Sequence, residues 1–277
     1  MAEIVLWRGN GGSAVDAVEA AVRVLEDNEY FNAGYGSALN NDGEVECDAM
    51  IMNGSALSTG AVISGRYFRN PVSLAKKIMN DTHHCALSGE GALNYAIEQG
   101  FPICDPNQLI TKRARDSQIR YSDFVDYVRF RLGHPVQDTV SAVARDANGR
   151  FACAVSTGGI AGSRLKGRVS DAAIVGCGGY ANEHGAATTS GQGEYLMKMT
   201  LAREVVYMME SGMNAQVAAE NALRKMRNRF QVSEGLGGVI AIDKDGNVGK
   251  ACTTDYMGWA SVNGDRMANG LNPQMEV

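Results

Sequence analysis

The first regular pattern along the chain is a stripe of apolar residues at helical spacing that begins just after Gly11 and Gly12. Ser13 followed three residues later by Asp16 is typical of a capping box, so the sequence predicts a helix over 13–25. Similar periodicity predicts further helices, one of them opened by a proline at a first-turn position. These further predicted helices cover 71–79, 89–99, 194–210 and 214–230.

Short runs of β-branched and small apolar residues lie between turn dipeptides of the Asp-Gly and Asn-Gly type. The predicted strands cover 47–52, 139–144, 151–156, 239–243 and 248–253. The turn dipeptides are Asp42-Gly43, Asn148-Gly149 and Asp245-Gly246, and such turns join antiparallel strands. Helices and hairpins form separate groups along the chain, which favours an α+β fold over alternating β-α units.

The composition of the chain argues against some classes of binding partner. The 277 residues carry a net charge of −5, from 31 acidic and 26 basic side chains, which disfavours binding to nucleic acid or to an anionic membrane. Apolar runs fall well short of the roughly 18 residues that span a bilayer. The chain start has no basic and apolar leader, so we expect a cytoplasmic protein. Its 33 glycines, about 12 % against a usual 7 %, indicate tight turns and closely approached backbone.

The sequence contains only weak matches to the common motifs for nucleotide and metal binding. The run 174–181 fits G-x-G-x-x-A after a strand, but the residues that follow are a poor helix start, which disfavours a dinucleotide site. The four histidines lack metal-ligand spacing, and the six cysteines include no C-x-x-C pair. The segment from Thr111 to Asp138 is rich in charge and poor in glycine. We interpret about 105–138 as a linker, with a solvated helix as the alternative.

Four hydroxyl- and glycine-rich clusters lie within a short part of the chain, at 138–143, 156–159, 167–171 and 189–194. Together with 11–18, 31–34, 43–49 and 235–238, they make the sequence resemble the plant-type asparaginase and isoaspartyl peptidase family of N-terminal nucleophile hydrolases. Glycosylasparaginase and threonine aspartase are relatives of that family. The resemblance implies a single domain over 1–277 with a four-layer αββα sandwich.

The resemblance also implies a threonine nucleophile that the chain exposes by cutting itself. A threonine hydroxyl needs an adjacent base, and the α-amino group of an N-terminal residue, with a pKa of about 7.7–8.0, can serve. By resemblance the cut falls between Asp138 and Thr139, giving segments 1–138 and 139–277. The charged linker would then be the loose tail of the first segment.

The resemblance assigns the remaining roles residue by residue. Thr157 would hydrogen-bond the nucleophile, and Asn32 would contact it from the first segment. Arg168 would hold the substrate α-carboxylate, and Asp171 would hold the α-ammonium.

For the oxyanion, the resemblance implies two donors, the Ser190 hydroxyl and the Gly191 N–H, with Gly193 lining the same wall. No catalytic cofactor is expected. A structural sodium ion would be held by backbone carbonyls, those of Leu25, Glu26, Asp27, Phe31, Ala33 and Tyr35.

The chain departs from the family pattern at several places. The usual opening strand and its His-Gly-Gly turn are missing, which predicts an open edge in the central sheet. Four positions carry another residue than is usual in asparaginases, namely Asp138, Ser141, Ser170 and Ser190.

The predicted activity is hydrolysis of L-asparagine and of β-aspartyl dipeptides, by a homodimer of cleaved units. The substrate prediction rests mainly on Asp171, because the protease relative has glutamine there. Glycosylasparaginase or a threonine aspartase-like protease remains an alternative. A non-catalytic, uncleaved homologue is the alternative from another class.

Overall fold

Two β-sheets organise the chain in the computed structural model, which describes residues 2–6, 12–120, 139–160, 164–230, 237–254 and 256–271. The strands are β1 (Ala2–Leu6), β2 (Cys47–Asn53), β3 (Ser58–Gly65), β4 (Leu87–Ser88), β5 (Val140–Arg145), β6 (Phe151–Thr157), β7 (Gly179–Asn182), β8 (Gly185–Gly191), β9 (Gly237–Asp243), β10 (Val248–Cys252), β11 (Trp259–Asn263) and β12 (Arg266–Gly270). The larger sheet has the order β12-β11-β1-β5-β6-β2-β3-β4, and the smaller has the order β10-β9-β8-β7.

Seven α-helices accompany these sheets within the described residues. They are α1 (Ala14–Glu26), α2 (Pro71–Asp81), α3 (Gly89–Glu98), α4 (Lys112–Arg120), α5 (Gly193–Met199), α6 (Leu201–Glu210) and α7 (Ala215–Arg229). The α+β class expected from the sequence is therefore confirmed. In the part of the chain that the structure covers, no helix has the length and apolar character needed to cross a membrane.

Two kinds of local structure predicted from the sequence are present, the capping box of the first helix and two hairpins. At the start of α1, Ser13 Oγ accepts a hydrogen bond from the Asp16 N–H at 3.1 Å, and Asp16 Oδ2 accepts one from the Ser13 N–H at 3.2 Å. The antiparallel hairpins β5–β6 and β9–β10 turn at Gly149 and Gly246, whose φ angles of 76° and 82° suit glycine. The capping box and these hairpins are confirmed.

The single helix predicted over 194–210 is wrong, because the chain breaks it into α5 and α6 at Thr200. Thr200 adopts a left-handed conformation with φ of 46°, which ends α5. The first turn of α6 is instead anchored by Arg203 N–H, which donates to the Gly176 carbonyl at 2.9 Å. A local helical pattern in the sequence cannot report such a bond to a distant loop.

Three apolar clusters show how helices and sheets pack. The first joins α1, α2 and α3 to one face of the larger sheet, with Val18, Ile78 and Ala142 among its members. The second lies between the sheets and includes Val143 and Ile242. The third joins α5, α6 and α7 to the smaller sheet. Neighbouring residues of β5 therefore enter different clusters, as the two-residue period of a strand requires.

The sheet position beside β5 is occupied by β1, so the expected open edge there is wrong. Ala2–Leu6 runs parallel to β5, with Ala2 opposite Ser141, and also parallel to β11, with Ala2 opposite Trp259. The backbone groups of β5 are thereby paired on both sides, to β1 and β6. A five-residue strand is long enough to fill this place.

The expectation of a loose tail is also wrong for the described part of the linker. Leu109 and Ala114 are buried against Leu39 and Val45, and Gln118 Nε2 donates to the Asn40 carbonyl at 2.9 Å. The helix alternative is confirmed for Lys112–Arg120. Residues 121–138, including the predicted cleavage residue Asp138, lie outside the described residues.

The glycine motif at 174–181 leads into a strand and not into a helix. A 3₁₀ turn, Asp171–Ala173, is followed by a tight turn and then by β7. The helix N-terminus that would bind a pyrophosphate is therefore not formed by this motif. This geometry agrees with the sequence, which disfavours a dinucleotide site.

Candidate active site

Two threonine hydroxyls meet at one end of the larger sheet. Thr139 immediately precedes β5, and Thr157 ends β6. Because these strands are antiparallel with Val140 opposite Ser156, the two threonines fall at the same end. Both are buried, and Thr139 Oγ1 donates to Thr157 Oγ1 at 3.2 Å. The structure thus brings together the two threonines paired in the sequence analysis.

Asn32 holds the loop that follows β6. Its backbone carbonyl accepts from the Gly158 N–H at 2.8 Å, and its Nδ2 donates to the Gly159 carbonyl at 2.6 Å. The loop is packed so tightly that a Cβ added to Gly158 would lie 2.6 Å from Asn32 Oδ1. Gly159 N–H in turn donates to Thr157 Oγ1 at 3.1 Å. Asn32 therefore supports the threonine pair through this loop, and its direct contact with Thr139 stays a prediction.

Opposite charges lie side by side near the start of α5. Arg168 Nε and Nη2 approach Glu194 Oε1 at 3.0 and 2.9 Å. A Cβ added to Gly193 would lie 2.7 Å from Asp171 Oδ1 and 2.9 Å from Arg168 Nη2. Only a residue without a side chain lets the backbone approach both groups so closely. The structure places Arg168, Asp171 and Gly193 close together and adds Glu194, which the sequence analysis did not assign; their roles toward a substrate stay predictions.

The end of β8 presents a hydroxyl with unused hydrogen-bonding capacity. Ser190 is 7 % exposed, and its Oγ is buried without a hydrogen-bond partner among the described residues. Buried hydroxyls usually have a partner, so such an atom calls for an explanation. The next residue, Gly191, has a φ of 145° and ends the strand. Within the described part of the chain, the Ser190 hydroxyl therefore has hydrogen-bonding capacity that no protein group uses.

Comparison with known proteins places this geometry in a family. A family model described as asparaginase matches residues 5–271, which is nearly the whole chain. The chain belongs to the asparaginase family. The chain is 42 % identical over 267 residues to the isoaspartyl peptidase/L-asparaginase of Xenopus laevis, with 94 % of this chain and 83 % of the relative covered.

Two further relatives of this asparaginase-family chain come from distant organisms. The human isoaspartyl peptidase/L-asparaginase is 41 % identical over 269 residues, covering 95 % of this chain and 84 % of the relative. The plant-type L-asparaginase of Pyrococcus furiosus is 40 % identical over 264 residues, covering 92 % and 85 %. The family resemblance and the hydrolase class expected from the sequence are confirmed.

A buried ionic network, which the sequence analysis missed, positions the loop that carries Arg168 in this asparaginase-family chain. Arg164 is 5 % exposed, and its Nη1 donates to the carbonyls of Gly158 at 2.6 Å and Glu46 at 3.3 Å. The Glu46 carboxylate accepts from the Gly167 N–H at 3.0 Å. The network links β2 and the residues before it to the loop that carries Arg168.

Asp48 anchors the far end of the same loop. Its two carboxylate oxygens accept from the N–H groups of Ser64 and Ser170, at 2.8 and 2.7 Å. Burial raises the pKa of Asp48 and lowers the pKa of Arg164. The sequence held one signal for this network, since two acidic residues flank Cys47 at the start of an otherwise apolar strand. Charged side chains are seldom fully buried unless they are paired.

The loop after α1 of this asparaginase-family chain gathers backbone carbonyls around two glycines. Gly34 and Gly36 have φ angles of 51° and 130°. A Cβ added to Gly34 would lie 2.7 Å from the Glu26 carbonyl oxygen, and one added to Gly36 would lie 2.6 Å from that of Phe31. Side-chain clusters that could hold a metal are absent from the described residues. Two of the six carbonyls predicted for a cation thus lie close to these glycines, and that of Glu26 also accepts from the Tyr35 N–H at 2.8 Å.

Proposed function

We propose that this chain hydrolyses L-asparagine and β-aspartyl (isoaspartyl) dipeptides, with Thr139 as an N-terminal nucleophile. The observation that carries the proposal is the buried Thr139–Thr157 hydroxyl pair at 3.2 Å. It is supported by the approach of Arg168 and Asp171 to Gly193, and by the Ser190 hydroxyl, which has no partner among the described residues. The relatives that carry the names isoaspartyl peptidase and L-asparaginase support the choice of substrate.

The proposed maturation step is an acyl shift at the bond between Asp138 and Thr139. The Thr139 hydroxyl attacks the Asp138 carbonyl carbon, the C–N bond breaks as the hydroxyl proton passes to the nitrogen, and an ester on Oγ1 replaces the amide. This step frees the α-amino group of Thr139. Water then hydrolyses the ester, which releases the Asp138 carboxylate and restores the Thr139 hydroxyl. That amine is the base which the hydroxyl lacks in the intact chain.

In the proposed turnover, the α-amino group of Thr139 takes the hydroxyl proton while Oγ1 attacks the substrate side-chain carbonyl. The Thr157 hydroxyl, at 3.2 Å, holds Oγ1 in position. Ser190 Oγ and the Gly191 N–H donate to the oxyanion. The leaving amine departs with the proton, and water then hydrolyses the acyl-threonine ester. Ammonia and aspartate are the products from asparagine.

Substrate recognition is proposed to depend on two opposite charges. The Arg168 guanidinium presents planar N–H donors that match a carboxylate, and Glu194 fixes the orientation of its Nε edge. Buried Asp171 offers a carboxylate to an α-ammonium group. Because Gly193 has no side chain, its backbone lies close to both groups, and a substrate backbone held there would meet both charges.

Replacing Arg168 by Lys should raise KM for asparagine by on the order of 10-fold or more, because one ammonium cannot form two parallel bonds to a carboxylate. Asp171→Asn should also raise KM, since it removes the charge that pairs with the α-ammonium. Chain cleavage should persist in both variants. Steady-state kinetics on the cleaved proteins measure this, and unchanged kinetics in both variants would exclude the pocket.

The proposed function is tested most directly by the products of maturation. Purified protein should convert on incubation into two fragments of nearly equal length, and N-terminal sequencing of the second should begin Thr139-Val140. The incubated protein should then release ammonia from asparagine. A single intact chain without activity after prolonged incubation would instead support the uncleaved, non-catalytic homologue.

The layer order proposed for the fold is αββα. Its support is the set of three apolar clusters, in which helices cover one face of each sheet and the sheets face each other across a shared cluster. An experimental structure of the cleaved protein checks the order, and a missing inter-sheet cluster would contradict it.

A structural sodium ion is proposed in the loop after α1, held by backbone carbonyls of 25–35. The fit rests on the Glu26 and Phe31 carbonyls that crowd Gly34 and Gly36, since carbonyl oxygens suit a hard cation. Exchange of sodium for choline should lower the thermal midpoint, because the ion binds the folded state only. An unchanged midpoint up to high sodium concentration would argue against the ion.

Two further properties of the protein are proposed, its oligomeric state and its location in the cell. We expect a homodimer of cleaved units, to be measured as molar mass by light scattering, and a cytoplasmic location, to be measured by cell fractionation. Neither metal nor organic cofactor is proposed for the catalytic step.

A further inference from the structure

A hydrogen bond between two buried hydroxyls joins the two sheets near the candidate active site. Thr188 Oγ1 donates to Ser141 Oγ at 2.9 Å. Thr188 lies in β8 of the smaller sheet, and Ser141 lies in β5 of the larger sheet. Their exposures are 0 % and 1 %, so water does not compete for either hydroxyl. The bond therefore links the sheets directly.

The two hydroxyls occupy matched positions with respect to the site. Ser141 follows Thr139 by two residues, and Thr188 precedes Ser190 by two residues. Because side chains alternate along a strand, residues two apart face the same side and lie about 7 Å apart. On the β5 side, the bond thus lies one strand repeat from Thr139, the proposed nucleophile. On β8, it lies one strand repeat from Ser190, the proposed oxyanion donor.

Beyond this bond, the described residues that pack between the sheets form an apolar cluster. One strand repeat further from the site, the same faces carry Val143 on β5 and Ala186 on β8, and both belong to the inter-sheet cluster. Apolar burial favours contact but has no directional preference, so it sets the relative position of two sheets only through shape. A hydrogen bond weakens steeply when its distance or angle departs from the optimum.

We propose that the Ser141–Thr188 hydrogen bond is a positioning device that sets how β8 lies against β5, and thereby where Ser190 and Gly191 stand relative to Thr139 Oγ1. Neither hydroxyl touches the substrate in this proposal, so both are positioning residues. The inference rests on the proposed function, because it concerns the alignment of the nucleophile with the oxyanion donors.

The test compares kcat and KM for asparagine on cleaved protein. Thr188→Val and Ser141→Ala should each lower kcat by about 10- to 100-fold, because displacements near 1 Å can cost that much, while KM stays close to wild type. The double variant should lose no more than either single variant, since both remove the same bond. Thr188→Ser, which keeps the hydroxyl, should retain wild-type kcat. Ser141→Ala removes only one oxygen atom. If Thr188→Val does not fold, Ser141→Ala still tests the same hydrogen bond.

Thr59→Val is the control for loss of a threonine hydroxyl within the larger sheet, because the half-buried Thr59 Oγ1 donates to the Ile51 carbonyl at 3.0 Å between β3 and β2. It should lower the thermal midpoint without lowering kcat. Wild-type kcat in Thr188→Val and Ser141→Ala, or independent losses that multiply in the double variant, would overturn the inference and leave the proposed function intact. A wild-type protein that neither cleaves nor hydrolyses asparagine would overturn both.

Discussion

Thr139→Ala should leave the chain uncut and without asparagine hydrolysis. The substitution removes the hydroxyl that attacks the Asp138 carbonyl and the same hydroxyl that attacks the substrate. In other hydrolases, deletion of the catalytic nucleophile lowers kcat by on the order of 10⁶-fold. We therefore expect the residual activity of Thr139→Ala to be indistinguishable from background. Denaturing gels report the cleavage, and an ammonia-release assay reports the turnover.

Two control variants make this result specific to the hydroxyl. Thr139→Ser keeps a hydroxyl at the same backbone position, so it should still cleave and should retain measurable turnover. Thr59→Val removes a threonine hydroxyl elsewhere in the larger sheet, and it should cleave as the wild type does. If Thr139→Ala were still cut at the same bond, Thr139 could not be the nucleophile of maturation.

Ser190→Ala should lower kcat by about 10²–10³-fold, which is the usual loss when one oxyanion donor is removed. The structure sharpens this expectation, because Ser190 Oγ is buried and has no partner among the described residues. Ser190→Thr restores the hydroxyl with one additional methyl group and should be nearly silent. Turnover on already cleaved protein is the measurement, since it is independent of any effect on maturation.

The thermal midpoint separates a catalytic role of Ser190 from a structural one. A buried hydroxyl without a partner carries a desolvation cost, so its removal should leave stability unchanged or slightly higher. Ser190→Ala should therefore combine a large kinetic loss with an unchanged midpoint. Full turnover in this variant would end the oxyanion assignment.

Local signals in the sequence were sufficient for several elements. The apolar stripe and capping box predicted α1, and the Asn148-Gly149 and Asp245-Gly246 turns predicted two hairpins, because such signals depend on residues within one turn. Strand β8 was not predicted, since Gly185–Gly191 consists of glycine, alanine, threonine and serine. Its strand conformation is decided by antiparallel pairing to β7 and β9.

By itself the sequence determined the family, through the order of its motifs, and it identified the residue types that the proposed chemistry needs. Only the tertiary structure decided which of them meet. It placed Thr139 against Thr157 and paired Arg168 with Glu194, and among the described residues it gives the Ser190 hydroxyl no partner.

The buried network and the inter-sheet bond also depended on the tertiary structure. Glu46 and Asp48 are charged residues whose burial follows from partners far along the chain, and Ser141 meets Thr188 across two sheets. Periodicity reports only contacts within a helix turn or along a strand. Contacts between distant segments depend on sheet order and register, which come from the packing of the whole chain.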